Sequence, residues 1–139
     1  MIDKKDQKII KELKKNSRSS VREIAKSTAI RPSTVHKRIQ DLVRDKVIEK
    51  FTVKLSNNAV DEGLIAFLFL TTESDLDKNF FHNEYIKEVF GITGEYDLVL
   101  KLKFKDIQEF NSFLIGLRKN KNIRKTLTMI STITIKEEI

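Results

Sequence analysis

The sequence predicts an α+β chain in which three helices are followed by a sheet module with elements in the order βαββαβ. Three observations predict it. Apolar residues recur at helical spacing as far as Leu42, they alternate or run together from Val47 onward, and the charge is divided between the two stretches. Residues 1 to 54 hold 11 Lys and 5 Arg against 4 Asp and 3 Glu, a net +9, whereas residues 55 to 139 hold 11 basic and 13 acidic residues, a net −2. A basic module joined to a near-neutral one suits a polyanionic partner for the first and a different task for the second.

Composition narrows the classes of function. A length of 139 residues fits one compact domain or two small ones. With 40% apolar and 34% charged residues, four Gly and one Pro, the composition is that of a globular protein. The absence of Cys excludes a disulfide framework, a thiolate zinc site and a Cys nucleophile. The longest apolar run, Leu64 to Leu70, is far short of the roughly 20 residues of a membrane span, and Met1-Ile2-Asp3-Lys4 does not open like a signal peptide. The expectation is a cytoplasmic protein with no membrane partner and no cofactor. Its two His, His36 and His82, pair with no carboxylate by spacing, which argues against an enzyme and against a metal site.

Asp3 followed by Asp6 caps the first helix, and Ile9, Ile10 and Leu13 give it an apolar stripe before Lys14-Lys15-Asn16-Ser17 ends it. Ser20-Val21-Arg22-Glu23 is a capping box for the second, which carries Val21, Ile24 and Ala25 and lasts about two turns. Pro32 opens the third, because a proline at the first helical position sacrifices no hydrogen bond. Val35, Ile39 and Leu42 face inward there, leaving Ser33, Lys37, Gln40 and Arg44 outward with Thr34 at the edge. Two helices joined by a short turn, the second with a polar basic face, form a helix-turn-helix. Ser33, Thr34 and Lys37 then reach base edges in a major groove, while Arg18, Ser20 and Arg22 suit backbone phosphates. Arg31, Arg38 and Arg44 complete the expected DNA-binding set. Residues 1–46 form this domain and 47–62 a strand and linker, with Phe51, Val53 and Leu55 on one strand face.

Residues 63–139 supply the sheet module. Leu64 to Leu70 reads as a central strand, Asp75 to Asn83 as a short helix, and Ile86 to Ile92 as a second strand ending in the turn Thr93-Gly94-Glu95-Tyr96-Asp97. Leu98, Leu100, Leu102 and Phe104 share a face of the third strand. Asp106 and Glu109 start a helix carrying Ile107, Phe110, Phe113, Leu114 and Leu117, and Lys125 to Lys136 alternates as the fourth strand. This is the ferredoxin-like order, with both helices on one face of an antiparallel sheet. Val89, Val99 and Ile130 are expected on the other face, where only a second copy is left to cover them, giving a homodimer.

With both halves placed, the chain resembles the Lrp/AsnC family of feast/famine transcription regulators over essentially its whole length. The matching residues run through Ile2-Asp3, Asp6, Ile9-Ile10, Leu13, Asn16-Ser17-Arg18, Ile24-Ala25 and Ser33 to Ile39, then Leu42 and Val47-Ile48. In the second half they are Val89 to Asp97 and Ile123 to Thr128. The chain departs from the family pattern where Ala29, Ile30 and Arg31 replace a usual Gly, Leu and Ser, and where Lys46 and Asn122 each replace a usual Gly. Without a Ser at Arg31, either Ser33 caps the third helix or its start frays. The resemblance implies sequence-specific binding to double-stranded DNA, a homodimer through the second module that assembles further to tetramers or octamers, and a small effector, commonly an amino acid. It places the effector at Gly94, Tyr96 and Asp97, with Asp97 facing an ammonium and the Gly94 turn offering amides to a carboxylate. Thr128 and Ser131 would add hydroxyls. A non-specific architectural DNA protein is the alternative, and a haem-pathway decarboxylase of similar architecture a more distant one.

Overall fold

The computed structural model describes all residues, Met1–Ile139. They form two compact units, Met1–Lys54 together with Ile139, and Leu55–Glu138. The first holds α1 (Lys4–Lys15), α2 (Val21–Thr28) and α3 (Pro32–Arg44). Local signals set the starts of α1 and α2. Asp3 accepts from the Asp6 amide while Asp6 accepts from the Asp3 amide, both at 2.9 Å, and Ser20 and Glu23 repeat the exchange at 3.1 and 2.7 Å. The helices close over Ile9, Ile24, Ala25, Ile30 and Val35, with Leu13, Val21 and Ile39 packed at the margin.

Two non-glycine residues in this unit adopt left-handed backbone, Ala29 (φ 57°) after α2 and Lys46 (φ 56°) after α3. Both stand where the resembled family usually has glycine, so each carries a steric cost of about 1–2 kcal/mol that glycine avoids. Arg31 supplies no side-chain cap to α3. The helix nonetheless begins at Pro32, with the Val35 amide bonded to the Arg31 carbonyl at 3.0 Å. The strand expected over 47–55 does not form. The segment takes part in no strand ladder, and Phe51, Val53 and Leu55 are exposed. Alternation predicted an extended backbone, but a strand also needs a ladder partner.

The second unit is a four-stranded antiparallel sheet of β1 (Leu64–Thr72), β2 (Ile86–Gly91), β3 (Leu98–Phe104) and β4 (Ile123–Ile130), in the order β2-β3-β1-β4. A single face carries Ala66, Leu68, Leu70, Leu100, Leu102 and Phe104, all fully buried against Phe110 and Leu117 of α4 (Ile107–Arg118). Tyr85 stacks on Phe104 at 4.9 Å between ring centroids, and Phe110 meets Phe104 edge-on at 5.5 Å. The helix expected at 75–83 is instead a 3₁₀ turn, Lys78–His82, in which the Phe80 amide reaches the Asp77 carbonyl at 2.9 Å. A five-residue segment favours this tighter winding. Leu76 and Phe80 still pack against the core, so the covering role survives the change of helix type.

The opposite face corrects the expected residue list. Val89 lies opposite Leu100 and Ile130 opposite Ala66, so both belong to the helix-covered side, and only Val99 was placed correctly. The open face carries Phe67, Phe69, Phe90, Val99, Leu127 and Met129, with Phe90 58% and Met129 53% exposed. The fourth strand also ends early, at Ile130 rather than Lys136. After the Ser131 amide bonds the Ile65 carbonyl at 2.8 Å, β1 has only Leu64 left. The tail instead returns over the near end of the open face, where Glu137 meets Lys101 at 2.5 Å and Lys103 at 3.1 Å and Ile65 is only 5% exposed. Partial burial works against the Lys101 ammonium, but Glu137 and Glu88 more than offset it and hold its pKa above the ordinary value.

Candidate DNA-reading face and effector corner

Three helices ending in a surface helix leave a definite set of side chains facing outward. Ser33 and Lys37 are exposed on the first turns of α3, with Thr34 half-buried beside them. Lys37 reaches Asp41 only at 3.7 Å with its side chain 76% exposed, so the ammonium is free to leave that carboxylate for a nucleic acid. Arg18, Arg22 and Arg31 are exposed and carry no ion pair. Ser20 is exposed too, although its hydroxyl already accepts the Glu23 amide. Two of the expected arginines are engaged. Arg44 binds Asp41 at 2.7 Å and Asp45 at 2.9 Å, and both carboxylates raise its pKa. Arg38 binds Asp3 at 2.7 Å and Asp6 at 2.8 Å across 35 and 32 residues of sequence. The Asp6 amide, with Arg38, holds the Asp3 carboxyl down at about 2.

The effector residues implied by the resemblance separate into a cluster and two outliers. Gly94 takes φ 119°, a conformation that demands glycine, and so turns the chain between β2 and β3. Asp97 is exposed, and its Oδ2 accepts the Thr72 amide at 2.9 Å, which fastens the turn to the end of β1. Tyr96 lies 5.8 Å from Phe69 between ring centroids, with the Lys125 ammonium 5.1 Å from its ring centre. Glu73 and Arg124 pair at 3.4 Å nearby, since β4 begins where β1 ends. Thr128 and Ser131 are elsewhere. Thr128 faces the helix side opposite Leu68, and Ser131 bonds beside Ile65, roughly 20 Å from Thr72 at about 3.3 Å per residue. Within one chain neither reaches the corner. Ser131 instead lines a polar cavity of about 320 Å³ with Asn57, Asn58 and Thr132.

Residues 2–49 match a winged helix-turn-helix DNA-binding family model, and residues 74–139 match the Lrp/AsnC ligand-binding domain. The HTH-type transcriptional regulator FL11 of Pyrococcus abyssi is 36% identical over 140 aligned positions, covering 98% of this chain and 93% of that protein. An HTH-type transcriptional regulator of Pyrococcus horikoshii is 33% identical, covering 100% of this chain and 98% of its own. The chain belongs to the Lrp/AsnC family. Lrp/AsnC proteins are transcriptional regulators rather than enzymes, with a DNA-binding half and a small-molecule half. Two solved structures share the fold. The Neisseria meningitidis regulator in complex with L-Met superposes with a TM-score of 0.90 at 24% identity, covering 99% of this chain and 94% of that one. E. coli AsnC gives 0.88 at 21%, covering 100% and 97%. No helix is long and apolar enough to cross a membrane.

Lys125, Arg124 and Thr72 are corner residues that sequence reasoning missed. The signal was available in the Lrp/AsnC module's strand order, because an antiparallel β1–β4 pair places the start of β4 beside the end of β1.

Proposed function

We propose that this Lrp/AsnC chain is a homodimeric, further assembling regulator that reads double-stranded DNA with α3, and that an amino acid bound at the Gly94–Asp97 corner modulates that binding. One observation carries the reading. The more basic unit exposes Ser33 and Lys37, with half-buried Thr34 between them, at the start of a surface helix, where a helix entering a major groove meets base edges. Arg18, Ser20, Arg22 and Arg31 flank it at positions suited to phosphates. At the corner, Asp97 keeps Oδ1 for an effector ammonium while Oδ2 holds Thr72, and the Gly94 turn offers backbone donors to the effector carboxylate. The open sheet face supports the dimer, since Phe67, Phe90, Leu127 and Met129 lie exposed on it. A regulator of this kind acts where the chromosome is, in the cytoplasm.

Selection of duplexes from a random library, followed by thermal shifts against the twenty amino acids, tests both halves. An amino acid at 100 times its Kd stabilises the protein by about 2.7 kcal/mol. Asp97→Asn removes the charge attraction and weakens the ligand by about 1.5–3 kcal/mol while DNA binding without ligand stays unchanged. A protein that enriches no sequence is an architectural DNA binder instead.

A further inference from the structure

Arg38 sits on the same helix as the DNA-facing side chains, one position after Lys37 and one turn after Thr34, yet its guanidinium points at α1. Its Nη1 donates to Asp3 Oδ2 and to Asp6 Oδ1, while Asp3 Oδ1 and Asp6 Oδ2 accept the amides that begin α1. All four carboxylate oxygens are therefore engaged, two in starting α1 and two in holding α3. The apolar cluster that includes Ile9, Val35 and Ile39 buries one stripe of α3 and so sets its rotation coarsely, but apolar burial itself has no preferred direction. Hydrogen bonds do have one. A roll of α3 by about 20° moves a side-chain tip some 5–6 Å from its axis by roughly 2 Å, beyond the tolerance of a base contact.

The surroundings also disfavour a phosphate at Arg38. The Arg38 side chain is only 26% exposed and lies in a groove of about 800 Å³ lined by Asp3, Asp6, Asp41 and Asp45 as well as Lys37; Asp3 and Asp6 already neutralise Arg38, so a phosphate there meets carboxylates and finds its free cation in Lys37 instead. We propose that Arg38 is a positioning residue for DNA recognition: its clamp on Asp3 and Asp6 fixes the rotation of α3 against α1, and with it the reach of Ser33, Thr34 and Lys37, without touching DNA. This rests on α3 being the reading helix, and it takes Arg38 out of the phosphate-binding set.

The test measures Arg38→Gln and Asp6→Asn, which change the charge in opposite directions, on a duplex enriched by the wild-type protein and on a scrambled duplex over a range of salt. Melting curves first establish that each variant is folded at the assay temperature. Should Arg38→Gln unfold, Asp3→Asn, which removes only the half-exposed partner, takes its place beside Asp6→Asn. Both variants of the pair in use are expected to lose about tenfold or more on the enriched duplex and little on the scrambled one. For Arg38→Gln the slope of log affinity against log salt on scrambled DNA stays at the wild-type value. A slope reduced by about 0.9 per protomer means that Arg38 touches a phosphate and overturns the proposal. So does an Asp→Asn variant that binds the enriched duplex as well as wild type or better, since the added positive charge alone improves binding. The triple variant Ser33→Ala, Thr34→Ala, Lys37→Ala separates this failure from failure of the parent reading: if it too leaves the preference for the enriched duplex intact, α3 is not the reading helix and both fall.

Discussion

The two units hide their apolar residues to different extents. In the first, Ile9 and Val35 are fully buried and Ile24 is nearly so, and the outward face of α3 is polar. In the second, Ala66 to Phe104 seal one side of the sheet while Phe67, Phe90, Leu127 and Met129 stay exposed on the other. A small helical unit can close on itself because each helix needs only one apolar stripe. A sheet has two faces, and α4 with its neighbouring 3₁₀ turn covers just one. The three-helix bundle closes over its own core, although Phe51 and Val53 in the segment after it stay exposed, whereas the sheet leaves a whole face open.

The largest expected effect is on the closed side of the sheet. Phe104→Ala removes the ring that Tyr85, Phe110 and Phe113 pack around and costs about 3–5 kcal/mol. Both tyrosines, Tyr85 and Tyr96, lie in this unit, so tyrosine fluorescence during urea unfolding reports on it selectively. Ile24→Ala costs about 2–5 kcal/mol in the other unit and leaves the tyrosine transition where it was. If both variants shift that transition equally, the units unfold as one and the contrast between them is thermodynamically empty.

The open face makes the second test. Leu127→Glu puts a carboxylate amid Phe67, Phe69 and Met129, where a single chain tolerates it because the position is 38% exposed. In a dimer closed over this face the same charge is desolvated. Dimer affinity then drops by about 2 kcal/mol or more, roughly 30-fold, as sedimentation of the folded variant would register. An unchanged sedimentation coefficient would mean that some other surface joins the copies.

What could be read from the sequence was what lies within a few residues. The pairs Asp3/Asp6, Ser20/Glu23 and Asp106/Glu109 are caps three residues apart, and all three form. The apolar run Leu64–Leu70 located β1 and alternation located β2, β3 and β4, although alternation also pointed to a strand over 47–55 that does not form. Partners distant in sequence were not legible. Arg38 meets Asp3 and Asp6 only after three helices have folded, and Glu137 reaches Lys101 and Lys103 only because the tail turns back once β1 runs out. The face of Val89 and Ile130 failed for a related reason, since period-two alternation says which residues share a side but not which side the helices take.

The reading face offers a middle-sized effect and a smaller one. Lys37→Ala costs roughly 1–3 kcal/mol on an enriched duplex and little on random DNA if the ammonium reads a base edge, whereas equal losses assign it to the backbone. Acid probes the same unit more gently, because its ion pairs are exposed to solvent. The folded Asp3 carboxyl titrates at about 2 rather than its ordinary 3.8, so its contribution is fully present above 3.8 and is lost as pH falls toward 2. Wild type therefore loses more of its urea resistance than Asp3→Asn does between about pH 5 and pH 2.

The smallest expected change is a gain, and it concerns the two positions where the helical unit is strained. Ala29 ends α2 at φ 57°, ψ 33°, where its Cβ crowds the following carbonyl and glycine would not. Ala29→Gly removes that crowding but gives the unfolded chain more freedom, so the two effects partly offset. The balance favours the variant by about 0.5–1 kcal/mol, and Lys46→Gly, at φ 56° after α3, behaves alike. The positions lie at the ends of different helices, so the double variant gains about the sum. Helical signal followed through urea unfolding measures it. The tyrosine transition of the sheet unit should not move, because neither strain is stored there. A destabilised Ala29→Gly would mean that the side chain contributes packing at the helix-turn-helix corner that its left-handed backbone conceals.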